Sequence, residues 1–231
     1  MPKLRKKDRK QEVKAKPRIG SIFTPVAPRT KNQRDAVLSM REYIISIIIG
    51  TAGTGKTLLA ISEALLALSH GTSKKLVLIR PMVAVGESLG YLPGDVNEKV
   101  SPYATPLLYY IDELMDSKGY AQKMIESGVI ELVPLALIRG RTFENTFILL
   151  DEAQNVTPEQ MHAVLTRIGE ASRLVIVGDE AQTDLKRNID SGLSDLLERM
   201  TASDNVNIVE LTVDDIQRNE ILKEIHTWYE D

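Results

Sequence analysis

The 231-residue chain is 43% hydrophobic and 26% charged, with a formal net charge of −3 and no cysteine. Disulfides and thiolate metal sites are therefore excluded, and no run of about 18 apolar residues is present that could cross a bilayer as a helix. The length suits one sizeable core.

The charge is unevenly placed. The first eighteen residues, with "KLRKKDRKQEVKAKPR" at their heart, hold nine Lys/Arg against Asp8 and Glu12, leaving twenty basic and thirty acidic residues for the rest. Such an arm, without apolar period, is expected to be disordered; it either grips a polyanion by releasing counterions or serves as a solubilising tail. It contains no apolar segment of the signal-peptide type, so the reducing cytoplasm is the expected compartment. "GSIFTPVAPRT" follows as an extended, proline-rich lead-in.

From there helices and strands alternate. Helical spacing of Ala36, Val37 and Met40 predicts a helix over 31–42, and the apolar run 43–50 a strand. A helix over 56–70 leads to a strand at 74–80, and the glycine-rich loop 81–95 precedes helical sequence to about 128. Strands are expected at 129–134, 146–152, 173–179 and 207–211, with helices at 157–169, 191–200 and 213–230. Thr157, Pro158 and Gln160 form a capping box with proline at the first helical position. Nearly continuous apolar strands separated by helices are buried on both faces, which predicts a parallel sheet sandwiched between helices in an α/β fold.

The stretch "IIIGTAGTGKTLLA", Ile47–Ala60, has the spacing G-x-x-x-x-G-K-T and sits between an expected strand and an expected helix. That is the context a phosphate-binding loop requires. Backbone N–H groups of Gly50, Thr51, Ala52, Gly53, Thr54 and Gly55 would cradle phosphate oxygens at the positive end of the helix. Lys56 would reach the β- and γ-phosphates, and Thr57 would place its hydroxyl on Mg²⁺.

The second half of such a site is expected at the carboxyl end of another buried strand. "FILLDEAQ" offers Asp151 for the Mg²⁺ shell and Glu152 to polarise an attacking water. "RLVIVGDEAQTDL" repeats the geometry: Gln182 is a candidate sensor of the γ-phosphate, while Asp179 is either functional or an N-cap.

Together "GTAGTGKT", "IRP…GESLGYLPGD", "RGRTFENTFILLDEAQN", "VIVGDEAQTDL…SGL" and "DIQRNEI" resemble the PhoH family of ATPases. The resemblance runs from about Pro28 to the C-terminus, so residues 28–231 are expected to form the ATPase domain and residues 1–27 the arm and lead-in. It implies a RecA-like P-loop NTPase core, close to the first motor domain of superfamily-one helicases. It further implies ATP as the nucleotide, Gln33 as reader of adenine, and Gln154 as the link between nucleotide and nucleic acid. Arg80, Arg139 and Arg141 lie in family blocks where they could meet phosphate of either ligand. The loop around Glu87 and Asp95 is as readily a subunit contact or moving element as a nucleic-acid clamp.

Two-domain motors complete their ATP site with an arginine from a second RecA-like domain, and its loss can cost about 10³–10⁵ in rate. Either the arginine arrives from a neighbouring subunit or hydrolysis is slow; a ring is expected, a hexamer by the resemblance. Arg218 and Arg187 are candidates for the arginine, or simply exposed helix charges. Ribonuclease activity is not expected, since no acid cluster outside the ATP site suggests a two-metal centre. His70, His162 and His226 share no ligand spacing. Tyr109, Tyr110, Trp228 and Tyr229 either pack or stack on bases.

The expected activity is Mg²⁺-dependent ATP hydrolysis coupled to binding or remodelling RNA or single-stranded DNA. The alternative is an ATP-gated nucleic-acid-binding scaffold that does not unwind. A small-molecule kinase is disfavoured, because the paired acids suit water activation better than transfer to an acceptor hydroxyl.

Overall fold

The computed structural model describes residues 23–81, 96–186, 188–217 and 221. In chain order these form α1 (Lys31–Glu42), β1 (Ile45–Gly50), α2 (Lys56–Ser69), β2 (Lys75–Ile79), α3 (Val96–Leu114), α4 (Tyr120–Glu126) and β3 (Ile130–Leu132). Then come β4 (Thr146–Leu150), α5 (Pro158–Leu165), β5 (Arg173–Gly178), α6 (Gly192–Arg199) and β6 (Val206–Leu211). Short 3₁₀ turns occupy Leu135–Leu137, Ala153–Asn155 and Val213–Asp215.

The strands form one six-stranded sheet in the order β3-β2-β4-β5-β1-β6, with every pair parallel. The continuous apolar runs are explained by their two destinations. Ile48, Leu76, Leu78, Phe147, Leu149, Val175 and Val177 face a core shared with α1 to α4. Their chain neighbours Ile47, Val77, Ile79, Ile148, Leu150, Leu174 and Ile176 face a second core closed by α5 and α6. Side chains of a strand alternate between faces, so a strand covered on both sides must be apolar at every position. The expected RecA-like P-loop architecture, a parallel sheet between helical layers, is the one observed. Among the described residues no helix is long and apolar enough to cross a membrane.

Beyond shifts of one or two residues at strand and helix ends, three helical stretches differ from expectation. The helical stretch 96–128 is two helices: the Asp112 carboxylate accepts from the N–H groups of Gly119 and Ala121 at 2.6 and 2.8 Å, and Asp116 takes φ 45° between them. Helix α5 stops at Leu165 because the backbone beyond it is committed elsewhere. Gly169 N–H donates to Phe143 O at 2.8 Å and Phe143 N–H to Arg167 O at 2.9 Å. The sequence 213–230 opens as a 3₁₀ turn at Val213–Asp215; most of the helix expected there lies outside the described residues, as do the basic arm, most of the loop 81–95, His226, Trp228 and Tyr229. Towards the N-terminus, Phe23 and Val26 pack against the first core, and Val26 N–H donates to Ser62 Oγ at 2.8 Å.

Candidate functional site

Strand order creates the site. Strand β5 lies between β1 and β4, so three neighbouring strands deliver the phosphate loop, "GD" and "DE" to one sheet edge. There a cavity of about 430 Å³ is lined by Ala52 through Leu59, Asp151, Glu152, Gly178, Asp179 and Gln182. That volume lies within the range of small-ligand sites.

The loop is held by its own hydrogen bonds. Thr54 Oγ1 donates to Thr51 O at 2.8 Å, and Thr51 N–H to Leu211 O at 3.3 Å. Gly55, at φ 87°, precedes α2 and directs its first N–H groups to the cavity end of the helix. The Lys56 ammonium donates to Gly50 O and Thr51 O. Burial pushes its pKa down, opposed by the charges of Asp179, Glu152 and Asp151.

Thr57 Oγ1 donates to Asp151 Oδ1 at 2.8 Å, joining the loop to the tip of β4. A hydroxyl and a carboxylate are hard oxygen donors of the kind Mg²⁺ takes, with phosphates and water completing its shell. Among the described residues no three His, Cys, Asp or Glu side chains gather in a cluster that could hold a metal. Asp151 is only 2% exposed, and burial raises its pKa to about 6 despite the nearby Arg80.

That shift has a consequence for stability. The folded chain holds the Asp151 proton above the ordinary value of 3.8, so this stabilisation is present at low pH and lost as pH rises through about 6. Asp151→Asn is therefore expected to stabilise the ligand-free protein by roughly 1–3 kcal/mol at pH 7.5, with the gain gone near pH 4. Thermal melts of both proteins at the two pH values check this; a pH-independent difference would contradict it.

Glu152 sits in the left-handed region at φ 54°, a strained conformation of the kind that gathers at functional sites. Both its oxygens are engaged. Oε1 accepts from Arg80 Nη2 at 3.1 Å and Oε2 from Gln154 Nε2 at 2.7 Å. The other arm of Arg80, Nη1, lies 3.2 Å from Asp151 Oδ2. Buried Gln154 also donates to Gln182 O at 3.2 Å and accepts from Asp179 N–H at 3.1 Å, linking the tips of β4 and β5. Asp179 Oδ1 accepts from Ala181 N–H, while Oδ2 is buried without a partner.

Gln33 reaches the cavity, but its Oε1 accepts from Arg29 N–H and Thr30 N–H, and its Nε2 donates to Thr54 O and Asp215 O. It is the third-position partner of a capping box with Thr30, a signal legible in "TKNQ". The amide thus ties α1, the phosphate loop and the segment after β6 together. Arg80 lies against the carboxylates of Asp151 and Glu152. Arg141 donates to Glu131 at 2.7 Å and stacks on Phe143 at 4.8 Å, away from the cavity, and Arg139 is exposed. Arg187 and Arg218 lie outside the described residues; Gln217, beside the latter, lines the cavity. Sequence reasoning missed Val26, Arg29 and Gln217 as cavity walls, because none belongs to a phosphate-binding pattern. Tyr110 packs against the first core and also lines the cavity, whereas Tyr109 is exposed.

A family model described as PhoH-like protein matches residues 25–230. The PhoH-like protein of Bacillus subtilis (strain 168) is 43% identical over 204 residues, which cover 87% of this chain and 63% of the relative. Protein PhoH of Escherichia coli (strain K12) is 38% identical over 200 residues, covering 85% of this chain and 56% of the relative. The chain spans less than two thirds of either relative. Among solved structures, the Pif1 helicase from Candida albicans is similar at 14% identity and a TM-score of 0.42, over 81% of this chain and 40% of the helicase; that likeness is too distant to bear on function.

Proposed function

The chain belongs to the PhoH family, and from that premise we propose that it hydrolyses ATP with Mg²⁺ and couples hydrolysis to binding or remodelling RNA or single-stranded DNA. The observation that carries the reading is the 2.8 Å hydrogen bond from Thr57 to Asp151 across the mouth of the phosphate loop, with Glu152 beside it. The loop and the N-terminus of α2 receive the phosphates. Lys56, pre-gathered over Gly50 and Thr51, exchanges those carbonyls for phosphate oxygens.

Thr57 and Asp151 would hold Mg²⁺, which when bound neutralises charge on the β- and γ-phosphates. Glu152 accepts the proton of the attacking water, and Gln182, which lines the same cavity, registers whether a γ-phosphate is present. The expected arginine, Arg218 or Arg187, comes from the neighbouring subunit of a hexameric ring. The compartment proposed is the cytoplasm.

Phosphate release per chain, measured against protein concentration with and without RNA or single-stranded DNA, tests these parts together. The rate is expected to need Mg²⁺, to rise steeply with concentration as rings form, and to rise again with nucleic acid. A concentration-independent rate in demonstrated monomers would remove the shared arginine. Absence of Mg²⁺-dependent release under every condition would remove the ATPase itself.

A further inference from the structure

Beside the nucleotide cavity lies a second one of about 540 Å³, and the two share Glu152 and Gln182 as a common wall. Its other described walls include Arg80, Tyr103, Pro106 and Asn155. Arg80 is the one cation among its described lining residues, and its side chain is 24% exposed. We propose that this cavity receives one nucleotide unit of a single-stranded nucleic acid, with the base against Tyr103 and the phosphodiester on Arg80, and that its arrival frees Glu152 for hydrolysis. The inference rests on the ATPase reading above and assigns the partner's place and its means of control.

The chemistry follows from how Glu152 is held. A carboxylate that must take a proton from water needs an oxygen free of strong donors, yet here Arg80 occupies one oxygen and Gln154 the other. Of the two, Gln154 is 2% exposed and fixed by Gln182 O and Asp179 N–H, so it is the less able to leave.

Arg80 is held less tightly. Its contacts to Glu152 and Asp151 are 3.1 and 3.2 Å, longer than the roughly 2.7–2.9 Å of a well-formed charge-assisted pair. A guanidinium carries five donors in a planar fork suited to phosphate. A phosphodiester entering the second cavity therefore competes with Glu152 for the same group. The second acid of this wall, Asp184, is held in place by Asn155: its Oδ2 accepts from Asn155 Nδ2 at 3.2 Å and its backbone N–H donates to Asn155 Oδ1 at 2.7 Å. Tyr103 and Pro106, both on α3, give the base a flat apolar support.

The test is binding of fluorescently labelled oligo(U) and oligo(dT) to the full chain by anisotropy, without ATP, beside fluorescent-nucleotide binding as an independent measure. Tyr103→Ala is expected to weaken oligonucleotide binding about 5- to 160-fold, the worth of one stacked base, with Tyr103→Phe restoring affinity. Arg80→Gln is expected to weaken binding as well. It should also lower the slope of log affinity against log salt by about 0.7, the signature of one lost phosphate contact, and make ATPase insensitive to oligonucleotide. The two oligonucleotides distinguish RNA from DNA as the source of the strand. The proposal is overturned if either Tyr103→Ala or Arg80→Gln binds as tightly as the parent. It is also overturned if the parent binds neither oligonucleotide; nucleotide binding that persists in that case, and is lost in Lys56→Ala, leaves the ATPase reading standing.

Discussion

Glu152→Gln is expected to bind ATP about as tightly as the parent and to hydrolyse it about 10²- to 10⁴-fold more slowly, the span that a positioned general base supplies. The substitution is nearly isosteric and leaves the phosphate loop untouched, so Lys56 keeps its carbonyl partners and Thr57 its bond to Asp151. What it removes is the ability to take a proton. The new amide can still accept from Gln154 or from Arg80, but its nitrogen must then face the other donor, since both present partners donate. A modest loosening of Arg80 is the structural cost. Affinity measured with a fluorescent nucleotide and rates measured in single turnover separate the two effects. A fall of less than about tenfold in the single-turnover rate would mean that water is activated by another group.

The parts of the site that could be read from the sequence are those whose chemistry sits within one short stretch. "GTAGTGKT" and "DEAQ" each carry their meaning in consecutive residues, and the apolar runs before them predict the strands that deliver them. Partners joined across strands were not legible. Arg80 follows β2 and the two acids follow β4, and they meet because β2 and β4 are neighbours in register from Lys75 with Thr146 to Ile79 with Leu150. Hydrophobic period says that a strand is buried, not which strand lies beside it. The second cavity is harder still, for its walls come from the ends of β2, β4 and β5 and from α3.

Gln33 carries a local pattern besides the role that the family likeness implies, and it lines the cavity where that role would be played. Its spacing from Thr30 is that of a helix cap, and in the structure it acts as one. Glu131, on the edge strand β3, pairs with Arg141 ten residues further on, and the pairing of β3 with β2 brings Lys75 within its reach as well.

Gly50→Ala is expected to cost about 3–5 kcal/mol, a large share of the roughly 5–15 kcal/mol that holds a domain folded. Gly50 ends β1 opposite Leu211, the last residue of β6. Its φ is 131°, and a Cβ placed there would lie 1.8 Å from Leu211 O. Real Cβ atoms do not come within 3.0 Å of such a neighbour, and here the neighbour is backbone, which cannot rotate away. Strand β6 would have to withdraw, breaking the Thr51 N–H bond to Leu211 O. The withdrawal would not stay local. Beyond β6, Asp215 O accepts from Gln33 Nε2, which also donates to Thr54 O in the phosphate loop, so displacing the end of β6 pulls on the loop through Gln33. Nucleotide affinity should therefore fall together with stability. Gly71→Ala is the control: φ there is 72°, with nothing within 4 Å of the added carbon, so only the left-handed strain of about 1–2 kcal/mol applies. For a chain of this length each kcal/mol shifts the melting temperature by about 2–4 °C, which places Gly50→Ala about 6–20 °C below the parent and Gly71→Ala about 2–8 °C below it. Equal melting temperatures for the two variants would mean that the β1–β6 edge yields easily, and that Gln33 does not transmit its movement to the phosphate loop.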